Sequence, residues 1–194
     1  MEITRTIGTI LRRSWSGRAA LTGAIVAACG TAFAADAFAS YRELWTRPQE
    51  PFRIYGNTYY VGTRGLSSVL VTSDEGHVLI DGTLPENAKA IAENIRTLGF
   101  RIEDVKLIVN SHTHSDHAGG IAELQRLSGA KVVASPAAAA SLERGRGGKD
   151  DPQYEYGDSF PRVTSVETIA DRQSLEVGEI RLTGHFTPVH TPGG

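Results

Sequence analysis

The ten residues "SHTHSDHAGG" at 111–120 hold three of the chain's six histidines, His112, His114 and His117, together with Asp116. Imidazole and carboxylate are metal ligands. His112 and His114 stand two apart on an extended segment, so their side chains point the same way, and Asp116 and His117 begin the helix that follows. A donor set without thiolate suits Zn²⁺ first, with Fe and Mn also served. At this chain's own frequencies of His and Asp, the arrangement H-x-H-x-D-H arises by chance in roughly one of several thousand such chains, so it reads as a site and not as a solvated loop. Gly119 and Gly120 allow close backbone approach behind it.

A third imidazole is on offer at His190, in "TPVHTPGG". With His112 and His114 it makes a three-histidine zinc site with an open fourth position, the arrangement that brings the pKa of bound water to about 7. Asp116 and His117 would then begin a second metal site beside it. Asp81, in "LIDGTLP", ends a buried strand at the same sheet edge, where it either orients the metal-binding loop or caps its own turn. His77 opens a strand after a turn and reads as exposed, while His185 reads as a brace for the His190 loop. The single cysteine, Cys29, supports neither an intramolecular disulfide nor a thiolate metal site.

The elements that must position these residues follow from periodicity. "FRIY", "TYYVG", "SSVLVTS" and "HVLID" are short β-rich runs separated by turn signals, which predicts an antiparallel meander. From Pro85 the period becomes helical, with Ala88, Ile91, Ala92, Ile95 and Leu98 on one face and Gly99 past the end. "VKLIVNS" is a buried strand, "DHAGGIAELQRLSG" a second helix, "AKVVAS" a further strand and "PAAAASLERG" a third helix. A meander running into βαβα units predicts a mixed sheet with helices packed on it, and the metal-binding run falls at the strand end, where open α/β sheets bind ligands. "RGRGGKDDPQYEYGDSFP" reads as a loop long enough to border the site, and "SLEVGEIRLTGHFTP" as a hairpin about Gly178.

Residues 1–39 carry Arg5, Arg12, Arg13 and Arg18 ahead of an apolar, small-residue stretch, and "AFA" occurs at 32–34 and again at 37–39. That is a signal peptide with cleavage near 34 or 39, and it predicts a periplasmic or secreted protein with one folded domain over 40–194. Arg12-Arg13 leaves a twin-arginine route open, and "VAAC" at 26–29 leaves open lipidation at Cys29. Lys and Arg number 20 against 22 for Asp and Glu, with no basic run, which argues against a nucleic-acid surface and for a small-molecule substrate.

"HTHSDH" and "HFTPVHTPGG", preceded by "YYVGTRGLSSVLVTSDEGHVLIDGTLP", resemble the metallo-β-lactamase superfamily and within it the subclass B3 enzymes, from about Phe52 to the last residue. The resemblance implies an αββα sandwich with two zinc ions, the first on His112, His114 and His190 and the second on Asp116 and His117. Asp116 would also orient the attacking hydroxide, and the product would be the ring-opened penicillin, cephalosporin or carbapenem. The complete enzyme is expected to be a monomer with no stable protein partner. Val189 stands where the family has Gly, and Gly194 where Ser or Thr is usual. The family also continues for roughly a hundred residues that hold the second half of the sandwich and the final histidine of the second site. On that comparison the chain is truncated after the third-histidine loop, with one inner sheet face left bare and weak or no activity alone. Other hydrolases of the fold, lactonases or thioesterases, and an inactive fragment are the competing expectations.

Overall fold

Strand alternation explains how the sheet takes a layer on each side. The computed structural model describes residues 41–156 and 158–194, and the signal peptide expected over 1–39 lies outside them. Leu44–Gly194 forms one compact unit. Its main sheet has seven strands in sequential order: β1 (Phe52–Tyr55), β2 (Thr58–Tyr60), β3 (Val69–Ser73), β4 (Gly76–Ile80), β5 (Val105–Val109), β6 (Lys131–Ala134) and β7 (Val166–Thr168). β1 to β4 pair antiparallel, as the turn signals predict, and β4 to β7 pair parallel, as crossover helices require. A second sheet is the hairpin of β8 (Ser174–Val177) and β9 (Ile180–Thr183), turning at Gly178.

Leu79, Ile108, Val132 and Ala134 face one way, into a core completed by the helices α1 (Ala88–Thr97), α2 (Ser115–Ala118), α3 (Ile121–Ser128) and α4 (Pro136–Arg144). Ile91 and Ile95, one helical turn apart on α1, are fully buried there, and each such side chain stabilises the fold by about 1.5–3 kcal/mol. Val78, Leu107 and Val133 alternate to the other face. That face is not bare: Ile180 of the hairpin is buried against it, with Leu175, Val177 and Leu182 around it.

Two expectations about helices change. The α1 region opens with a 3-10 turn, Pro85–Asn87, before the α-helix proper. The predicted second helix is two, α2 and α3, bent at Gly119–Gly120. The cause is steric. A Cβ on Gly120 would collide with the carbonyl of Gly82, and one on Gly82 would sit 2.6 Å from Ile121 N, so the bend is clamped against the end of β4. His77 is also buried, not exposed, because Phe100 packs edge-on against its ring at 5.1 Å. No helix among the described residues is long and apolar enough to cross a membrane.

Candidate metal centre

β5 ends at Val109, and the chain leaves the sheet extended through Asn110–His114 before α2 begins. His114 is the residue before the helix, with φ −80° and ψ 154°. Asp116 lies inside the first turn and does not cap it; Asp158, from the long loop after α4, accepts from Ser115 N at 3.0 Å instead. The expected loop does border the site.

The three expected histidines of the first site converge. Ring centroids lie 5.0 Å apart for His112–His114, 4.8 Å for His112–His190 and 4.7 Å for His114–His190. One nitrogen from each falls within 4.8 Å of the others. His112, Asp116 and His117 form a second group under the same limit, with His112 and His117 rings 4.0 Å apart. A trio of imidazoles beside a mixed imidazole–carboxylate group, without thiolate, is a donor set that can hold divalent metal ions. His114 is buried and His190 exposed, so the cluster opens to solvent on the His190 side.

Oxygen acceptors hold the rings from behind. Asp81 lies at the end of β4 in left-handed backbone, φ 63°, a conformation that Asp tolerates. Its Oδ1 accepts from Ser111 N at 2.7 Å and Asn110 Nδ2 at 3.0 Å, and its Oδ2 accepts from Ser111 Oγ at 2.7 Å and pairs with His117 Nδ1 at 2.8 Å. The Asp81 carboxylate therefore orients the histidine loop, and none of these contacts caps its own turn. His117 Nδ1 is engaged, which leaves Nε2 toward Asp116, whose Oδ2 is 3.7 Å away. His112 Nδ1 meets Ser111 Oγ at 3.2 Å, and His114 Nε2 meets Asp151 Oδ1 at 3.1 Å.

Electrostatics follow from this packing. Burial, and then the neighbouring His117, His114 and His190, push His112 down to about 4, so its ring is neutral with a lone pair to give at pH 7. For His117 burial acts downward, but the hydrogen bond and charge of Asp81, and then Asp116, outweigh it and raise the pKa.

His190 depends on a different support. Its loop closes on itself through Thr187 N to Gly194 O, 2.7 Å, and Gly194 N to Thr191 O, 3.3 Å. Ser135, the N-cap of α4, donates its hydroxyl to Gly193 O at 2.9 Å while accepting from Ala138 N at 3.2 Å. Val189 is 88% exposed and has no positive φ, so the residue standing in place of the family glycine leaves His190 in position. His185 is exposed, and the anchor beside it is Phe186 N to Asp171 Oδ1, 2.9 Å. Asp151, Ser111 and Ser135 were not singled out by residue type or spacing. Only their placement in or beside segments flanking the histidines points to them.

A family model, the metallo-beta-lactamase superfamily, matches residues 61–194. The chain belongs to the metallo-β-lactamase superfamily. Among solved structures it is similar to the Rm3 metallo-beta-lactamase, with 60% identity and a TM-score of 0.76, over 78% of this chain and 56% of that one. It is similar as well to MEM-A1, a subclass B3 metallo-beta-lactamase from a soil metagenome library, with 53% identity and a TM-score of 0.76, over 77% and 57%. A curated metal-dependent hydrolase of Pyrococcus horikoshii is 46% identical over 57 residues, 29% of this chain and 23% of its own length. The chain thus spans little more than half the length of the structures it matches.

Proposed function

We propose that the protein hydrolyses the β-lactam ring amide of penicillins, cephalosporins and carbapenems with zinc. The observation that carries this reading is the convergence of His112, His114 and His190 beside the group of His112, Asp116 and His117. The identity to subclass B3 β-lactamases supports the substrate class. His112, His114 and His190 would hold the first zinc, and Asp116 and His117 would give two ligands to the second. Bound there, zinc supplies Lewis acidity toward the lactam carbonyl and a water-derived nucleophile at neutral pH. The chain's own residues supply the rest. Asp116, part-exposed at the head of α2, would accept a hydrogen bond from the attacking water and aim it. Hydrolysis adds water across the carbonyl–nitrogen bond, leaving a carboxylate and a protonated ring nitrogen.

The basic and then apolar residues 1–39 support export to the periplasm, which is where a resistance enzyme meets its antibiotic. Mass spectrometry of the mature protein tests this by locating cleavage near 34 or 39. Activity is tested with the zinc-loaded protein on a carbapenem and on an acyl-lactone, each with and without chelator. Chelator-sensitive opening of the carbapenem supports the reading. Turnover of the lactone alone assigns another hydrolase of the fold, and turnover of neither, with zinc bound, assigns an inactive chain.

A further inference from the structure

The loop between α4 and β7 brings a carboxylate to the metal centre from 37 positions beyond the ligand it touches. Asp151 is 2% exposed at its side chain and His114 5%, and Asp151 Oδ1 lies 3.1 Å from His114 Nε2. The same Oδ1 accepts from Gln153 N at 2.8 Å, which pins that oxygen as an acceptor. Two backbone bonds, Asp151 N to Gly148 O at 3.0 Å and Tyr154 N to Asp151 O at 3.0 Å, fold the loop around it. Asp151 Oδ2 is buried without a hydrogen-bond partner among the described residues, so Gln153 N and His114 Nε2 share Oδ1. An acceptor facing Nε2 keeps the proton there, and the lone pair then sits on Nδ1.

We infer that Asp151 is a positioning residue for the first metal site: it holds His114 as the Nε2–H tautomer, with Nδ1 turned to the metal. The inference rests on the reading of His112, His114 and His190 as metal ligands. It also ties Asp151, in the loop after α4, to the metal site without making it a ligand. Carboxylate partners of metal-binding imidazoles change metal affinity by about 10–100-fold when removed.

Gly147 gives an independent handle. A Cβ there would lie 2.8 Å from Asp151 Oδ2 and 2.9 Å from its Cγ, so Gly147→Ala displaces the carboxylate without deleting a polar group or touching His114.

The test uses the full chain, with zinc as the only probe. Competition against a chromogenic chelator gives affinity, and ring ¹⁵N shifts of His114 in the zinc-free protein give the tautomer. The unsubstituted chain should bind zinc and show the Nε2–H form. Asp151→Ala should bind the first-site zinc about 10–100-fold more weakly and lose the tautomer preference, and Gly147→Ala should move both readouts the same way. Asp151→Asn should retain both, because Gln153 N holds the amide oxygen at the Oδ1 position. A merely structural role would lower the melting temperature in all three variants and leave the His114 ring signature alone. If Asp151→Ala keeps both affinity and tautomer, the inference is wrong while the metal site stands. If the unsubstituted chain binds no zinc, the metal-site reading falls and the inference falls with it.

Discussion

Ser135→Ala removes one hydroxyl that performs two tasks at opposite sides of the same oxygen. As N-cap of α4 it accepts from Ala138 N, and as a donor it straps Gly193 O, four residues from the exposed tip of the His190 loop. Losing the cap costs about 1 kcal/mol. Losing the strap costs about 1 kcal/mol more, since Gly193 is buried and Ser135 is the donor to its carbonyl. Together they amount to about 2 kcal/mol, and in a domain of this size each kcal/mol moves the midpoint by about 2–4 °C, so thermal melts should fall by about 4–8 °C. Ser135→Gly separates the tasks. Glycine keeps an N-cap within a few tenths of a kcal/mol, so this variant should lose only the strap and about half the shift. Both variants should weaken zinc binding at the three-histidine site, because His190 is anchored through Gly193, while leaving the His112–Asp116–His117 group alone. Differential scanning fluorimetry and zinc competition check the two halves. A Ser135→Gly protein with unchanged midpoint and unchanged zinc affinity would refute the claim that this strap places His190.

Further outcomes follow from other contacts. Asp81→Asn replaces Oδ2 with an amide N–H donor facing His117 Nδ1, so the His117 tautomer should reverse and second-site zinc should bind about 10–100-fold more weakly, measured by metal stoichiometry after gel filtration. Gly120→Ala forces a methyl against the Gly82 carbonyl, and chemical denaturation should show a loss of about 1–3 kcal/mol. Zinc at a free concentration of 100 times its Kd should stabilise the protein by about 2.7 kcal/mol, and a chelator should return the melting midpoint to its starting value.

The sequence made the centre legible where its residues are contiguous. His112, His114, Asp116 and His117 lie on one elbow, so spacing alone places them, and the strand before them is marked by its unbroken apolar run. His190 was recognisable by type, yet its approach rests on Ser135, which reads as an ordinary N-cap until the tertiary contact is seen. Asp151 is one of two adjacent aspartates in a Gly- and Pro-rich loop, and nothing local distinguishes the one that reaches His114. An opening strand position after a turn is usually wet, but at His77 Phe100, arriving from beyond the end of α1, covers the ring. The bend at Gly119–Gly120 is hidden for a related reason, since helical periodicity continues across it and the close approach of Gly82 and Pro85 shows only in the folded chain.

The two candidate metal-binding groups are gathered over very different lengths of chain. His112, Asp116 and His117 lie within six residues, whereas the trio needs His190 from 78 positions after His112. Closing the longer loop in an unfolded chain costs about 2 kcal/mol more entropy than closing the shorter one. A metal ion present during folding therefore meets the aspartate-containing group as a nearly local chelate, and the all-histidine trio forms only once β9 and the loop after it have docked.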